Sequence, residues 1–270
     1  MLLAIDIGNT NIVLGVFQGE SLHRSWRLQT LRDRTADELG ILVLQLFEQS
    51  RLDASRVNGI ILSSVVPPLT RPMEEMAERY FDRAALTVDP ASNTGMPVLY
   101  TPAADVGADR VVNGVAAYER YGRRDRRPII IVDFGTATTF DVISGAGEYV
   151  GGVICPGIGI SADALFQRAA RLPRVDIRKP PSIVGQTTVT SMQSGLFFGY
   201  VAMVEGIVQR MRRELSDGER AVCVATGGMA DVLAGETPVI QHVEPDLTLV
   251  GLRLIWERAR LDPVAARAGL

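Results

Sequence analysis

Two heptapeptides, AIDIGNT at residues 4–10 and IVDFGTA at 131–137, constrain this chain more than any other feature. Each drives an apolar strand into an aspartate, separates it from a glycine by one apolar residue, and follows with a small amide or hydroxyl side chain. Asp6 and Asp133 lie 127 residues apart in a chain of 270. That spacing points to an internal duplication.

The elements following each heptapeptide repeat as well. Residues 1–7, 11–18 and 22–28 read as strands joined as antiparallel hairpins, with QGES as one turn. The capping box Thr35-x-x-Glu38 opens a helix on which Leu39, Leu42, Val43, Leu46 and Phe47 recur at helical spacing. A buried strand over 57–66 ends at Pro67 and Pro68, and a helix runs on to Phe81. After a short strand at 85–88, the next helix is expected from Arg110 to Tyr121. The run GRRDRRP, 122–128, marks a boundary between halves 1–122 and 123–270. Strands at 128–133, 137–143 and 148–154 reopen the pattern. Helices at 158–170 and 190–214, a strand at 221–226, a helix from 229, a strand near 238–242 and a helix at 246–260 complete it. The tail from Asp262 is expected to fray. The fold class is therefore α/β, with two β-β-β-α-β-α halves around a central cleft that holds both aspartate turns.

Composition limits the function classes. With 47% hydrophobic and 22% charged residues the chain can bury a large core. A net charge of −3 gives no general attraction to nucleic acid or anionic membrane, so neither is expected as a partner. No signal-peptide core or membrane-spanning run is legible, and a cytoplasmic location is expected. Cys155 and Cys223 lack metal-type spacing and read as buried thiols. Lys179 is the only lysine, which removes every lysine-dependent phosphate motif, the P-loop included.

The repeated turns suit phosphate. Glycine allows backbone amides to approach an anion, Asn9, Thr10, Thr136 and Thr138 offer side-chain hydrogen bonds, and each aspartate can hold a cation against the same oxygens. ATGGM, 225–229, sits at a strand-to-helix turn where Gly227 permits close approach of a nucleoside. GADR, 107–110, places Asp109 at a helix start, where a carboxylate can take the proton of a hydroxyl attacking the γ-phosphate while Arg110 pairs with an acceptor carboxylate. Asp105 and Asp141 are weaker competitors for that role. His23 and His242 lie in no motif.

In order along residues 1–257, the motifs DIGNTN, SSVVP, GADR followed by VVNGVAA, DFGTATTFD, GGVICPG, TTVTSMQSG and ATGG resemble type III pantothenate kinase, of the acetate and sugar kinase/Hsp70/actin superfamily. The resemblance implies an actin-like (ribonuclease H-like) duplicated fold and ATP-dependent phosphorylation of pantothenate to 4′-phosphopantothenate, the first step of coenzyme A biosynthesis. It implies a homodimer with an active site shared across its interface, Mg2+ with ATP, and a monovalent cation, K+ or NH4+. By resemblance, Asp6, Ile7, Gly8, Asn9, Thr10, Asn11, Ile12 and Val13 wrap the ATP phosphates, with Thr136 and Gly227 as further nucleotide contacts. Asp109 is the proton acceptor. Tyr100, Gly107, Ala108, Asp109, Arg110 and Thr188 hold pantothenate, Thr188 from the partner subunit. Asp133 sits on the monovalent cation, and Asp6 is the candidate for the divalent one. The family often has Asn-Thr where this chain has Thr187-Thr188. Rival readings are a binding module like the related Bvg accessory factor, a sugar kinase, or a polyphosphate-type phosphatase.

Overall fold

The computed structural model describes residues 1–261. Strands β1 (Leu2–Ile7), β2 (Asn11–Gln18) and β3 (Ser21–Gln29) form an antiparallel meander. After helix α1 (Ala36–Gln49), strand β4 (Gly59–Ser64) returns parallel to β1, and helix α2 (Pro67–Phe81) leads to β5 (Ala85–Thr87), parallel to β4. Helix α3 (Ala108–Ala117) follows. The second round comprises β6 (Ile129–Phe134), β7 (Ala137–Ile143), β8 (Tyr149–Pro156), α4 (Ile158–Arg168), α5 (Thr188–Glu214), β9 (Val222–Gly227), α6 (Ala230–Ala234), β10 (His242–Val243) and α7 (Leu247–Leu261).

The sheet orders are β3-β2-β1-β4-β5 and β8-β7-β6-β9-β10, the same order once each strand is replaced by its counterpart five places later. Pairing directions also match, antiparallel within each meander and parallel beyond it. Both aspartates therefore lie near the end of a central strand, and a parallel neighbour carries a hydroxyl residue opposite each one. Asp6 is in register with Ser63, and Asp133 with Thr226.

The central strands read as nearly continuous apolar runs because both of their faces are covered. In the first sheet, Leu3, Ile5 and Ile7 pack with Leu39, Val43 and Phe47 of α1 and Leu69 and Met73 of α2. Each such side chain, fully buried, contributes roughly 1.5–3 kcal/mol. The Thr35–Glu38 capping box forms as expected, with Glu38 accepting from the Thr35 backbone at 2.8 Å. In the second sheet, Ile130, Val132 and Phe140 pack with Phe197, Val201, Val204 and Val208 along one face of α5.

The chain folds as two compact units, one made of Met1–Ala116 with the described residues 246–261, the other of Ala117–Pro245. The last helix, α7, thus lies with the first sheet rather than with the second half of the sequence. Its Leu249 and Trp256 occupy the space that side chains at Gly15 and Gly59 would take.

Some local expectations change. The strand expected at 238–242 reduces to His242–Val243. Pro238 has no amide to give a ladder, and the Gln241 side chain accepts from the Cys223 amide at 2.6 Å, a place that a neighbouring strand's carbonyl would otherwise fill. Helix α3 starts at Ala108 and passes into a π-helical turn at Tyr118–Gly122. Cys223 is buried, but Cys155 is only half-buried because β8 is an edge strand. The tail expected to fray, residues 262–270, lies outside the described residues. Among the described residues, no helix is long and apolar enough to cross a membrane.

Candidate active site

In the first unit, Asp6 and Ile7 end β1, Gly8, Asn9 and Thr10 form the turn, and Asn11, Ile12 and Val13 open β2. Asn9 and Thr10 are exposed. Ile7 and Ile12 are fully buried, so only their backbones are available to a ligand. The turn closes through the Gly8 amide, which donates to the Asn11 carbonyl at 3.0 Å. Ser63 Oγ donates to Asp6 Oδ1 at 2.5 Å from a fully buried position. Ser63 belongs to the SSVVP motif, which by itself gives it no role. A hydroxyl ending a strand that runs parallel to the aspartate strand was the available signal.

The GADR segment belongs to the same unit. Gly107 precedes α3, with Val65 Cγ1 3.5 Å from where its Cβ would be. The Val65 amide in turn donates to the Ile7 carbonyl at 3.0 Å. This relay brings the start of α3 alongside the ends of β1 and β4. Asp109 lies in the first turn of α3, and its Oδ1 accepts from the Arg110 amide at 2.8 Å. A carboxylate there sits at the favourable end of the helix dipole. Ala108 is buried, Asp109 and Arg110 are half-buried, and Tyr100 is 41% exposed on the loop before them.

The competitors for the basic role are placed elsewhere. Asp105 is exposed at the end of a single 3-10 turn. Asp141 is fully buried and accepts from Tyr149 Oη at 2.6 Å and Thr139 Oγ1 at 3.2 Å, which makes it a structural carboxylate.

In the second unit, Asp133 lies in β6 and the turn is only Gly135-Thr136, both exposed. Gly135 donates to the Ala137 carbonyl at 3.1 Å. Thr138, expected to offer its hydroxyl to phosphate, is 1% exposed within β7 and has no surface to offer. Gly227 ends β9 with φ of 91°, and a Cβ there would come within 2.6 Å of Asp133 Oδ1. With no side chain there, the end of β9 packs directly against that carboxylate and the Phe134 backbone.

Thr188 opens α5. Thr187 is the N-cap, accepting from the Thr190 amide at 3.1 Å while Thr190 Oγ1 accepts from the Thr187 amide at 3.0 Å. Threonine, like asparagine, is among the favoured N-cap residues, so the Thr187 departure keeps the helix start intact. Thr188 lines a cavity of about 1120 Å³ with Ser161, Arg168, Met192, Leu196 and Tyr200. Burial raises the phenol of Tyr200, which lies 2.6 Å from both Ser161 Oγ and the Pro156 carbonyl.

A protein-family model for type III pantothenate kinase matches residues 2–210. The type III pantothenate kinase of Anaeromyxobacter sp. (strain K) is 55% identical over 260 residues, 96% of this chain and 100% of its own. The chain belongs to the type III pantothenate kinase family. Solved structures agree at the level of fold. A conserved Campylobacter jejuni protein assigned to the Baf family of transcriptional activators has a TM-score of 0.60 at 19% identity, covering 96% of this chain and 100% of that one. MreB 5 of Spiroplasma citri, bound to AMPPNP, has a TM-score of 0.57 at 10% identity, covering 100% and 98%. The fold is the duplicated actin-like α/β fold. Type III pantothenate kinases are enzymes, so the binding-module, sugar-kinase and phosphatase readings give way.

Proposed function

We propose that the chain transfers the γ-phosphoryl group of ATP to the primary hydroxyl of pantothenate, giving 4′-phosphopantothenate in the first step of coenzyme A biosynthesis, with Asp109 accepting the hydroxyl proton. Family membership carries the reaction. The relay from Asp6 through Ile7 and Val65 to Gly107 carries the assignment of Asp109, because it sets that carboxylate on the same end of the sheet as the phosphate turn.

Asp6 to Val13 bind the ATP phosphates through the turn, and Thr136 and Gly227 add nucleotide contacts. Tyr100 covers the apolar gem-dimethyl part of pantothenate, Gly107 and Ala108 shape the wall, and Arg110 pairs with the pantothenate carboxylate. Phosphoryl transfer has a loose transition state, so positioning and charge neutralisation supply most of the acceleration.

The donor sets suit hard cations. Asp6, held by Ser63, offers carboxylate oxygens to Mg2+, and the Asp133 carboxylate offers the same kind of oxygen ligand to K+ or NH4+. Bound cations supply charge neutralisation at the phosphates.

A homodimer completes the site. The support is in α5: Gly195 and Gly199 have nothing within 4 Å of a Cβ, and Leu165, Phe166, Val184 and Val189 are exposed near the Thr188 cavity. A second copy on that face brings Thr188 to its partner's pantothenate. The location is cytoplasmic, in keeping with two free thiols.

The test is ADP release by purified protein with ATP and Mg2+, with and without pantothenate and K+, beside Asp109→Asn. The expected result is pantothenate-dependent release that needs K+ and falls at least about 10²-fold in the variant, with ATP binding retained. Release indifferent to pantothenate overturns the reaction, and parental turnover in Asp109→Asn overturns the base. A monomer in sedimentation at micromolar protein overturns the shared site.

A further inference from the structure

Thr30 makes two hydrogen bonds to the first phosphate turn. Its amide donates to the Thr10 carbonyl at 3.0 Å, and its Oγ1 donates to the Gly8 carbonyl at 2.7 Å. A trans peptide is planar, with C=O and N–H on opposite sides. Drawing the Gly8 carbonyl toward Thr30 therefore aims the Asn9 amide away from Thr30. It also keeps a carbonyl oxygen, which repels an anion, off the face that the amide presents.

The duplication supplies an internal comparison. Thr30 follows the last residue of β3, and Gly157 follows the last residue of β8. Residues 30 and 157 are 127 positions apart, the same offset as Asp6 and Asp133. The Gly157 amide donates to the Thr136 carbonyl at 3.1 Å, repeating the backbone half of the Thr30 contact. The side-chain half has no counterpart: a Cβ at 157 would lie 2.2 Å from the Thr136 carbonyl oxygen and 2.7 Å from that of Gly135. The second turn is one residue shorter and packs directly on glycine. The first, longer turn needs a hydroxyl to fix its extra peptide.

We propose that Thr30 is a positioning residue for ATP: its hydroxyl fixes the Gly8–Asn9 peptide so that the first turn presents an amide to a phosphate oxygen. This rests on the reading that Gly8 to Thr10 cradle ATP phosphates. The two ideas are separable by experiment. Thr30→Val, Thr30→Ser and Gly8→Ala are compared by calorimetric titration with Mg2+–AMPPNP, by KM for ATP and for pantothenate, by kcat and by Tm. Thr30→Val is expected to weaken AMPPNP binding and raise KM for ATP about tenfold, the effect of one hydrogen bond, with kcat and KM for pantothenate unchanged. Thr30→Ser is expected to restore binding. Weakened binding in Gly8→Ala with parental binding in Thr30→Val overturns the role of Thr30 alone. Parental binding in both removes the phosphate reading and the proposal with it. A fall in Tm with both KM values rising together assigns Thr30 a structural role instead.

Discussion

Asp133 Oδ1 lies 2.6 Å from where a Cβ on residue 227 would be, and Gly227 holds a φ of 91°. The end of β9 and the carboxylate on β6 fit together only because position 227 has no side chain. Gly227→Ala is therefore expected to lose more than about 1 kcal/mol of stability and to displace the Asp133 carboxylate. Urea unfolding measures the first effect, and the K+ concentration for half-maximal activity measures the second. An alanine variant with parental stability and K+ response contradicts the fit.

Ser63 holds Asp6 from the parallel neighbour of β1. A hydrogen bond to a charged group contributes about 1.5–3 kcal/mol. Ser63→Ala is expected to raise the Mg2+ concentration needed for half-maximal turnover by about tenfold or more, on the same basis. Magnesium titrations of parent and variant at saturating ATP decide it; superimposed curves remove Ser63 from the site.

The Thr187–Thr190 capping box holds the start of α5, where Thr188 sits. Thr187→Ala is expected to cost about 1 kcal/mol, whereas Thr187→Asn stays close to the parent. Thermal unfolding ranks the three proteins. Asparagine as damaging as alanine would mean that the residue does more than cap the helix.

Alkaline stability has a definite sign. Burial pushes the Cys223 thiol from 9.0 up to about 12, against a smaller opposing effect of Arg212. Burial, followed by its hydrogen bond to Glu244, pushes the Tyr121 phenol from 10.0 up to about 12. Both folded values are raised, so the stabilisation is fully present below pH 9 and is lost as pH rises toward 12. Tm measured across that window should fall, and fall less in Cys223→Ala. Equal slopes in the two proteins would show that Cys223 is not a contributor.

Much of this molecule was legible in one dimension because its duplication writes the same short pattern twice. The Asp-x-Gly turns, the two hairpins after each, the Thr35–Glu38 cap and the apolar runs of β1, β4, β6 and β9 follow from local chemistry: strand periodicity, turn residues and caps act between near neighbours. The motif order along the chain was enough to reach the family. Tertiary structure decided what depends on residues distant in sequence. The apolar residues of α7 do not say which sheet covers it, whereas the complementary gaps at Gly15 and Gly59 place Leu249 and Trp256 against the first. Thr138 and Asp141 carry the right atoms for a site, yet burial within β7 removes them from it. Thr30 lies in no motif, and SSVVP by itself assigns Ser63 no role. They matter because parallel pairing sets a hydroxyl opposite Asp6, and because the end of β3 returns to the first turn, placing a side chain where its counterpart in the second copy has room for none.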